Sequence, residues 1–157
     1  MGNSTTSRVR LASGASELGV EVSDGAQHAM FSYLALLKRW NRVYNLTAVK
    51  GDANMLNRHL LDSLSVVPYL HGSRVIDIGS GAGLPGIPVA LVCPHLQITL
   101  LDSNAKRCRF LRQVQAQLKL KNVTIVHQRA EEYEPAEKFD TLISRAFSSL
   151  QTFIENS

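Results

Sequence analysis

The chain has 157 residues, 45% of them hydrophobic, and a formal net charge of +4. That is enough for one domain with a proper core, and the charge favours a polyanionic partner. No apolar run approaches the roughly 20 residues of a membrane helix, and the two cysteines, Cys93 and Cys108, lack metal-type spacing, which excludes a disulfide scaffold or a zinc module and suits reduced thiols in a cytoplasmic protein.

Residues 1–22 are rich in Ser, Gly and Thr and read as a disordered arm. Ser23 and Asp24 then look like a helix cap. The spacing of Met30, Leu34, Leu37, Asn41 and Tyr44 predicts a long helix over 25–44. Lys38, Arg39 and Arg42 flank its apolar stripe as a solvated face. The segment Asn45, Leu46, Thr47, Ala48 breaks the pattern. A second helix is expected from about Asp52 to Tyr69, with Leu56, Leu60, Leu64 and Val67 as its core stripe and His59 and Asp62 on or near it. Residues 23–72 therefore form a helical extension.

From residue 73 onward strands and helices alternate. Strands are predicted at 74–79, 97–102, 123–127 and 139–144, and helices at 86–93 and 104–120. That order implies an α/β fold with a parallel, Rossmann-like sheet. At its head stands Arg74-Val75-Ile76-Asp77-Ile78-Gly79-Ser80-Gly81-Ala82-Gly83-Leu84-Pro85-Gly86, a buried strand running into four glycines and a helix start. Glycine accepts positive φ and lets a ligand approach the backbone. Strand, Gly-rich loop and helix N-terminus form a cradle for a nucleotide-like cofactor.

Asp102 ends the second predicted strand about twenty residues later, where a carboxylate can accept both hydroxyls of a ribose. A capping role for the helix that follows is the alternative reading. The third strand ends at His127-Gln128-Arg129-Ala130-Glu131, where backbone near Ala130 could read an adenine edge. The fourth ends at Ser144-Arg145, and an Arg there calls for an anionic ligand group or a nearby carboxylate. Lys106, Arg107, Arg109 and Arg112 lie within seven residues, either holding a phosphate backbone or forming a solvated face. Gly81 to Gly86 matches the dinucleotide fingerprint literally, so an oxidoreductase is a rival reading. The acid-x-Gly-x-Gly-x-Gly order from Asp77 instead matches S-adenosylmethionine sites, where an acid suits the ammonium of the donor.

Residues 40–50 (Trp40, Asn41, Tyr44, Asn45, Leu46, Thr47), Arg58 to Ser63, the Gly-rich loop, Leu101 to Gln115 and Ser144 to Leu150 resemble the RsmG (GidB) family, the bacterial 16S rRNA guanine-N7 methyltransferases. The resemblance implies a class I methyltransferase fold, S-adenosyl-L-methionine as donor and a guanine of the 530 loop in the small ribosomal subunit as acceptor. It places cofactor contacts on Gly79, Leu84, Ala130, Glu131 and Arg145, beside Gly81 and Asp102 already read from the strand ends. Lys106, Arg107, Arg109 and Arg112 are then the RNA contacts. No general base and no metal ligand is assigned. An RNA-binding remnant without turnover is a further alternative. The family continues past the fourth strand, so residues 73–157 are expected to form an incomplete core. The full-length form is expected to be a monomer, and this form to associate through its exposed strand edge, unless Phe147, Leu150, Phe153 and Ile154 fold back over it.

Overall fold

The computed structural model describes residues 2–48, 51–145 and 154–155. Four short apolar runs form one parallel sheet: β1 (Arg74–Ile78), β2 (Gln97–Asp102), β3 (Val123–His127) and β4 (Thr141–Ile143). Their order is β3-β2-β1-β4. Val75 lies opposite Ile98 on one side and Thr141 on the other, and Ile98 lies opposite Val123. The alternation of side chains divides the strands between two faces. Val75, Ile98, Leu100, Val123 and Ile143 pack against the helices. Ile76, Ile78 and Leu101 face the other way, under Val126, Tyr133, Phe139 and Leu142.

Two helices make the crossovers. α5 (Gly86–Val92) links β1 to β2 and α6 (Ala105–Leu118) links β2 to β3, and both cover the same face through Ile87, Val89, Phe110, Leu111 and Val114. Asn104 caps α6, accepting from the N–H groups of Lys106 and Arg107. After β3 the chain returns to lay β4 beside β1, so the strand order reverses between these two. Ligands of open α/β sheets bind outside the carboxyl ends of strands at such a reversal. Among the described residues β4 pairs with β1 alone and is the edge of the sheet. Phe147, Leu150 and Phe153 lie outside the described residues; Ile154 is exposed.

The extension packs on the helix-covered face. α1 (Gly2–Glu17) corrects the expectation of a disordered arm over 1–22. Leu11 and Ala15 are fully buried, and burying one Leu contributes roughly 1.5–3 kcal/mol, enough to order a segment whose composition is otherwise polar. A Cβ on Gly14 would come within 2.8 Å of the Leu61 side chain. That glycine serves close approach of α1 to the chain beneath it, not flexibility. α2 (Asp24–Tyr44) has the expected start, with the Ser23 hydroxyl accepting from Ala26 N–H at 3.1 Å. It buries Met30, Tyr33, Leu36 and Leu37, whereas Tyr44, expected in the stripe, is exposed.

The second expected helix is not one regular element. It comprises α3 (Asp52–Met55), a π-helical stretch Leu56–Leu61, α4 (Asp62–Leu64) and a 3-10 turn Val67–Tyr69. Leu56, Leu60 and Leu64 are nevertheless buried as expected. The wider π turn is a local departure of a kind often found near functional sites, and it puts both Leu60 and His59 in the interior.

Candidate functional site

The loop after β1 sits at the strand reversal and is tied down from several directions. Gly79 and Ser80 N–H both donate to the Leu101 carbonyl of β2, at 2.8 and 3.1 Å. The Ser80 hydroxyl donates to Asp77 O, and Gly83 and Leu84 N–H donate to Ser80 O. Gly79, Gly81 and Gly83 all take positive φ, at 68°, 58° and 90°, a region costly for any residue with a Cβ. Their surroundings differ. A Cβ on Gly83 would meet Ile87 at 2.5 Å and Leu111 at 2.9 Å, whereas one on Gly81 would meet nothing nearer than Gly79 O at 3.9 Å. The loop is packed at Gly83 and opens at Gly81.

Two carboxylates behind the loop have separate tasks. Asp77 is fully buried on the helix-covered side, where Oδ2 accepts from Gly86 N–H at 3.0 Å and Oδ1 has no partner. Burial pushes its carboxyl up to about 8, against the opposing pull of the Gly86 N–H and the Arg145 guanidinium. The reading of Asp77 as the donor's ammonium partner is therefore corrected: it anchors the start of α5 from inside the core. Gly86 is the matching small residue, since a Cβ there would lie 2.3 Å from Leu100. Asp102, by contrast, stands at the carboxyl end of β2. Oδ2 accepts from Gly81 N–H and Oδ1 from Asn104 N–H, both at 2.8 Å. It therefore holds the loop at its open point. Each oxygen still has lone-pair capacity for a further donor.

β3 and β4, at opposite edges of the sheet, supply the two rims. Ala130, Glu131 and Glu132 form a 3-10 turn after β3. Ala130 packs against the second-face cluster, and Glu131 is exposed with Arg129 at 3.8 Å. Ser144 hydroxyl donates to Ile78 O at 2.8 Å, joining β4 to β1 at the reversal. Arg145 reaches across to the extension. Its guanidinium donates to Arg58 O at 3.2 Å and lies 3.9 Å from the Asp62 carboxylate. The carboxylate partner expected for this Arg is thus present.

The Asn41 side chain explains the break after α2. Its Nδ2 donates to Thr47 O and its Oδ1 accepts from Thr47 N–H, at 2.9 and 2.8 Å. This double bond clamps the turn and brings the Thr47 hydroxyl 3.2 Å from His59 Nε2. His59 is buried with Nδ1 unpartnered. Burial and then the Arg145 charge hold its imidazole below the ordinary value. It is a neutral interior link between the turn after α2 and the π-helical stretch.

A family model described as GidB, rRNA small subunit methyltransferase G, matches residues 26–157. The chain belongs to this family. It is 54% identical over 143 residues to the ribosomal RNA small subunit methyltransferase G of Pseudomonas syringae pv. tomato, covering 91% of this chain and 68% of that protein. The protein of the same description from Pseudomonas entomophila is 53% identical over 145 residues, covering 91% and 67%. That from Ectopseudomonas mendocina is 54% identical over 145 residues, covering 91% and 68%. Membership places the chain among methyltransferases and not oxidoreductases, and the Rossmann-like methyltransferase fold expected from the sequence stands.

The loop and rim residues singled out from the sequence fall at the same end of the sheet. Gly79, Gly81 and Leu84 lie in the loop, Asp102 beside it, Ala130 and Glu131 on one rim and Arg145 on the other, all at carboxyl ends of strands. The open point at Gly81, above a buried carboxylate, fits a small nucleoside-bearing donor. Leu84 offers only backbone, since its side chain is in the core. Sequence reasoning missed Tyr33. Its buried hydroxyl donates to Ala82 O in the loop at 2.6 Å, across 49 residues of chain. The four cations of α6 also separate. Lys106, Arg109 and Arg112, spaced by three, share one exposed face, with Lys106 Nζ 5.7 Å over the Tyr44 ring. Arg107 turns away, 3.8 Å from Asp102. Among the described residues no group of His, Cys, Asp or Glu could hold a metal ion, and no helix is long and apolar enough to cross a membrane.

Proposed function

We propose that this chain transfers a methyl group from S-adenosyl-L-methionine to N7 of a guanine in the 530 loop of 16S rRNA, acting on the small ribosomal subunit in the cytoplasm. One observation carries the reading: in a chain of this methyltransferase family, a positive-φ glycine loop opens at Gly81 directly over Asp102, at the reversal of strand order. S-adenosylmethionine, when bound, supplies an electrophilic methyl group. Backbone at Gly79, Gly81 and Leu84 receives its amino-acid end. Asp102 accepts from ribose hydroxyls through its remaining lone pairs. Ala130 and Glu131 border the adenine, and Arg145 faces the anionic side.

The acceptor chemistry agrees with the residues. Guanine N7 carries a lone pair in the neutral base, so no proton has to be removed first and no general base is assigned. The chain's contribution is alignment, which lowers the barrier by removing orientational freedom in advance. The row Lys106, Arg109, Arg112 suits the phosphates of the RNA around the target. Arg107, drawn to Asp102, belongs to the donor side.

Methyl transfer to small ribosomal subunits, mapped to the nucleotide and atom, tests this reading. Label on guanine N7 in the 530 loop is expected; label on an exocyclic amine or none at all overturns it. Neutralising Arg109 and Arg112 together is expected to reduce the salt slope of RNA binding by about two, roughly one per phosphate contact. Neutralising Arg107 is expected to leave that slope unchanged.

A further inference from the structure

We infer that Tyr33, on the helical extension, is a positioning residue for the methyl donor, a role that deepens the proposed function and rests on it. The geometry is specific. Tyr33 has no exposed surface, and its hydroxyl reaches one acceptor in the loop, the carbonyl of Ala82 at 2.6 Å. A phenol in an apolar interior is retained with its partner because leaving either group unpaired is costly. Burial raises the Tyr33 phenol above its ordinary value, so it remains a protonated donor.

The bond controls one peptide plane. The carbonyl of the Ala82–Gly83 peptide is held by Tyr33, and its N–H donates to Ser80 O at 2.8 Å. On the preceding side Gly81 N–H is held by Asp102. This plane turns about ψ of Ala82 and φ of Gly83, and Gly83, with no Cβ, offers that rotation little intrinsic resistance. Without Tyr33 the plane keeps only its Gly83 N–H bond to Ser80 O, and an outward swing of the Ala82 carbonyl would set its negative end against an anionic group of the donor. The ring itself is seated by the core, with the Phe110 ring of α6 at 6.3 Å between centroids. The extension is therefore part of the donor site, acting through the loop it touches, and not only a neighbouring layer.

The test uses the full chain and three measurements. Tyr33→Phe keeps the ring and removes the hydroxyl. Its affinity for S-adenosylmethionine by calorimetry is expected to fall about tenfold, the scale of one lost hydrogen bond. In methyl transfer, KM for the donor should rise by a similar factor with kcat within about twofold, as for an interaction made equally in ground and transition states. Amide exchange at Gly83 should accelerate. Leu37→Val, which loosens the same buried face of α2 without touching Ala82, should lower thermal stability and leave donor affinity unchanged. Donor affinity of Tyr33→Phe within about twofold of the parent overturns the proposal, as does an equal loss in Leu37→Val, which would reduce Tyr33 to general packing. If the parent chain itself does not bind S-adenosylmethionine, the proposed function fails together with the donor role. The Gly83 exchange rate then reports separately whether Tyr33 holds the loop.

Discussion

On the β1–β2 side of the crevice the loop is bound from three directions: by β2 through Leu101 O, by the Asp102 carboxylate at Gly81, and by Tyr33 at Ala82. Ser80, Ala82 and Leu84 are buried there. On the two flanks, after β3 and after β4 at opposite edges of the sheet, Glu131 and Arg145 are exposed, and their charged partners lie at 3.8 and 3.9 Å. The first side is a preorganised cradle whose hydrogen bonds are already made. The second is a rim of long side chains whose ion pairs in water are individually weak.

Substitutions that attack the rigid side should therefore cost most. Gly83→Ala places a Cβ 2.5 Å from Ile87 at a φ of 90°. Left-handed strain of about 1–2 kcal/mol and overpacking of about 1–3 kcal/mol should together lower stability by several kcal/mol in urea unfolding. A loss under about 1 kcal/mol would show the loop to be far softer than its contacts imply. Next in size is Asp102→Asn, which sets an NH2 against one of the Gly81 and Asn104 N–H groups and strips the charge from the bond to the other. Donor affinity should drop about 10- to 100-fold, the equivalent of roughly 1.5–3 kcal/mol. Glu131→Gln on the opposite rim should change it by less than about threefold. Equal effects would erase the distinction between the two sides.

Acid–base linkage sharpens the comparison from inside. Asp77 titrates at about 8 in the fold against an ordinary 3.8, so the folded state holds a proton that the unfolded chain releases. Stability from this group is full below about 4 and is lost as pH rises toward 8, at no more than about 1.4 kcal/mol per pH unit. His59 has the opposite sign: held below 6.5, it costs stability as pH falls beneath that value. The fall due to Asp77 is therefore read between pH 6.5 and 8 in thermal melts, and Asp77→Asn should flatten it. A parent chain equally stable across that window would contradict the buried, protonated carboxyl.

The smallest effect belongs to the rim. A double-mutant cycle on Arg145 and Asp62 should yield a coupling of about 0.2–1 kcal/mol, as for exposed pairs elsewhere, and should shrink with salt. A coupling of several kcal/mol would mean that the rim is as firmly built as the cradle.

Much of this architecture is legible along the chain because local rules and tertiary needs agree there. The apolar runs at 74–78 and 97–102 are central strands buried on both faces, that at 123–127 is a half-buried edge strand, the Ser23 cap starts α2, and closely spaced glycines after an apolar strand permit few other geometries. Asp102 and Arg145 could be picked out because strand ends in a parallel sheet converge on one crevice. Where composition alone spoke, it misled. The polar segment at 2–17 is a helix because Leu11 and Ala15 are buried and Gly14 lets it close on Leu61 of the π-helical stretch, a contact that no local propensity encodes. The same holds for the division of labour among charged groups. Spacing placed four cations together on α6, but only packing sends Arg107 to Asp102 and leaves Lys106 beside Tyr44.

The chain's own order thus determined the parallel sheet, the glycine loop and the strand ends that form the crevice, since each follows from short-range pattern and connection rules. Only the tertiary structure decided that Asp77 faces inward to Gly86, that Asn41 delivers Thr47 to His59, and that Tyr33 closes on Ala82. Those bonds join residues 9, 6, 12 and 49 positions apart. At such separations a hydrogen bond forms only after packing has brought buried groups together and removed the water that would otherwise satisfy them.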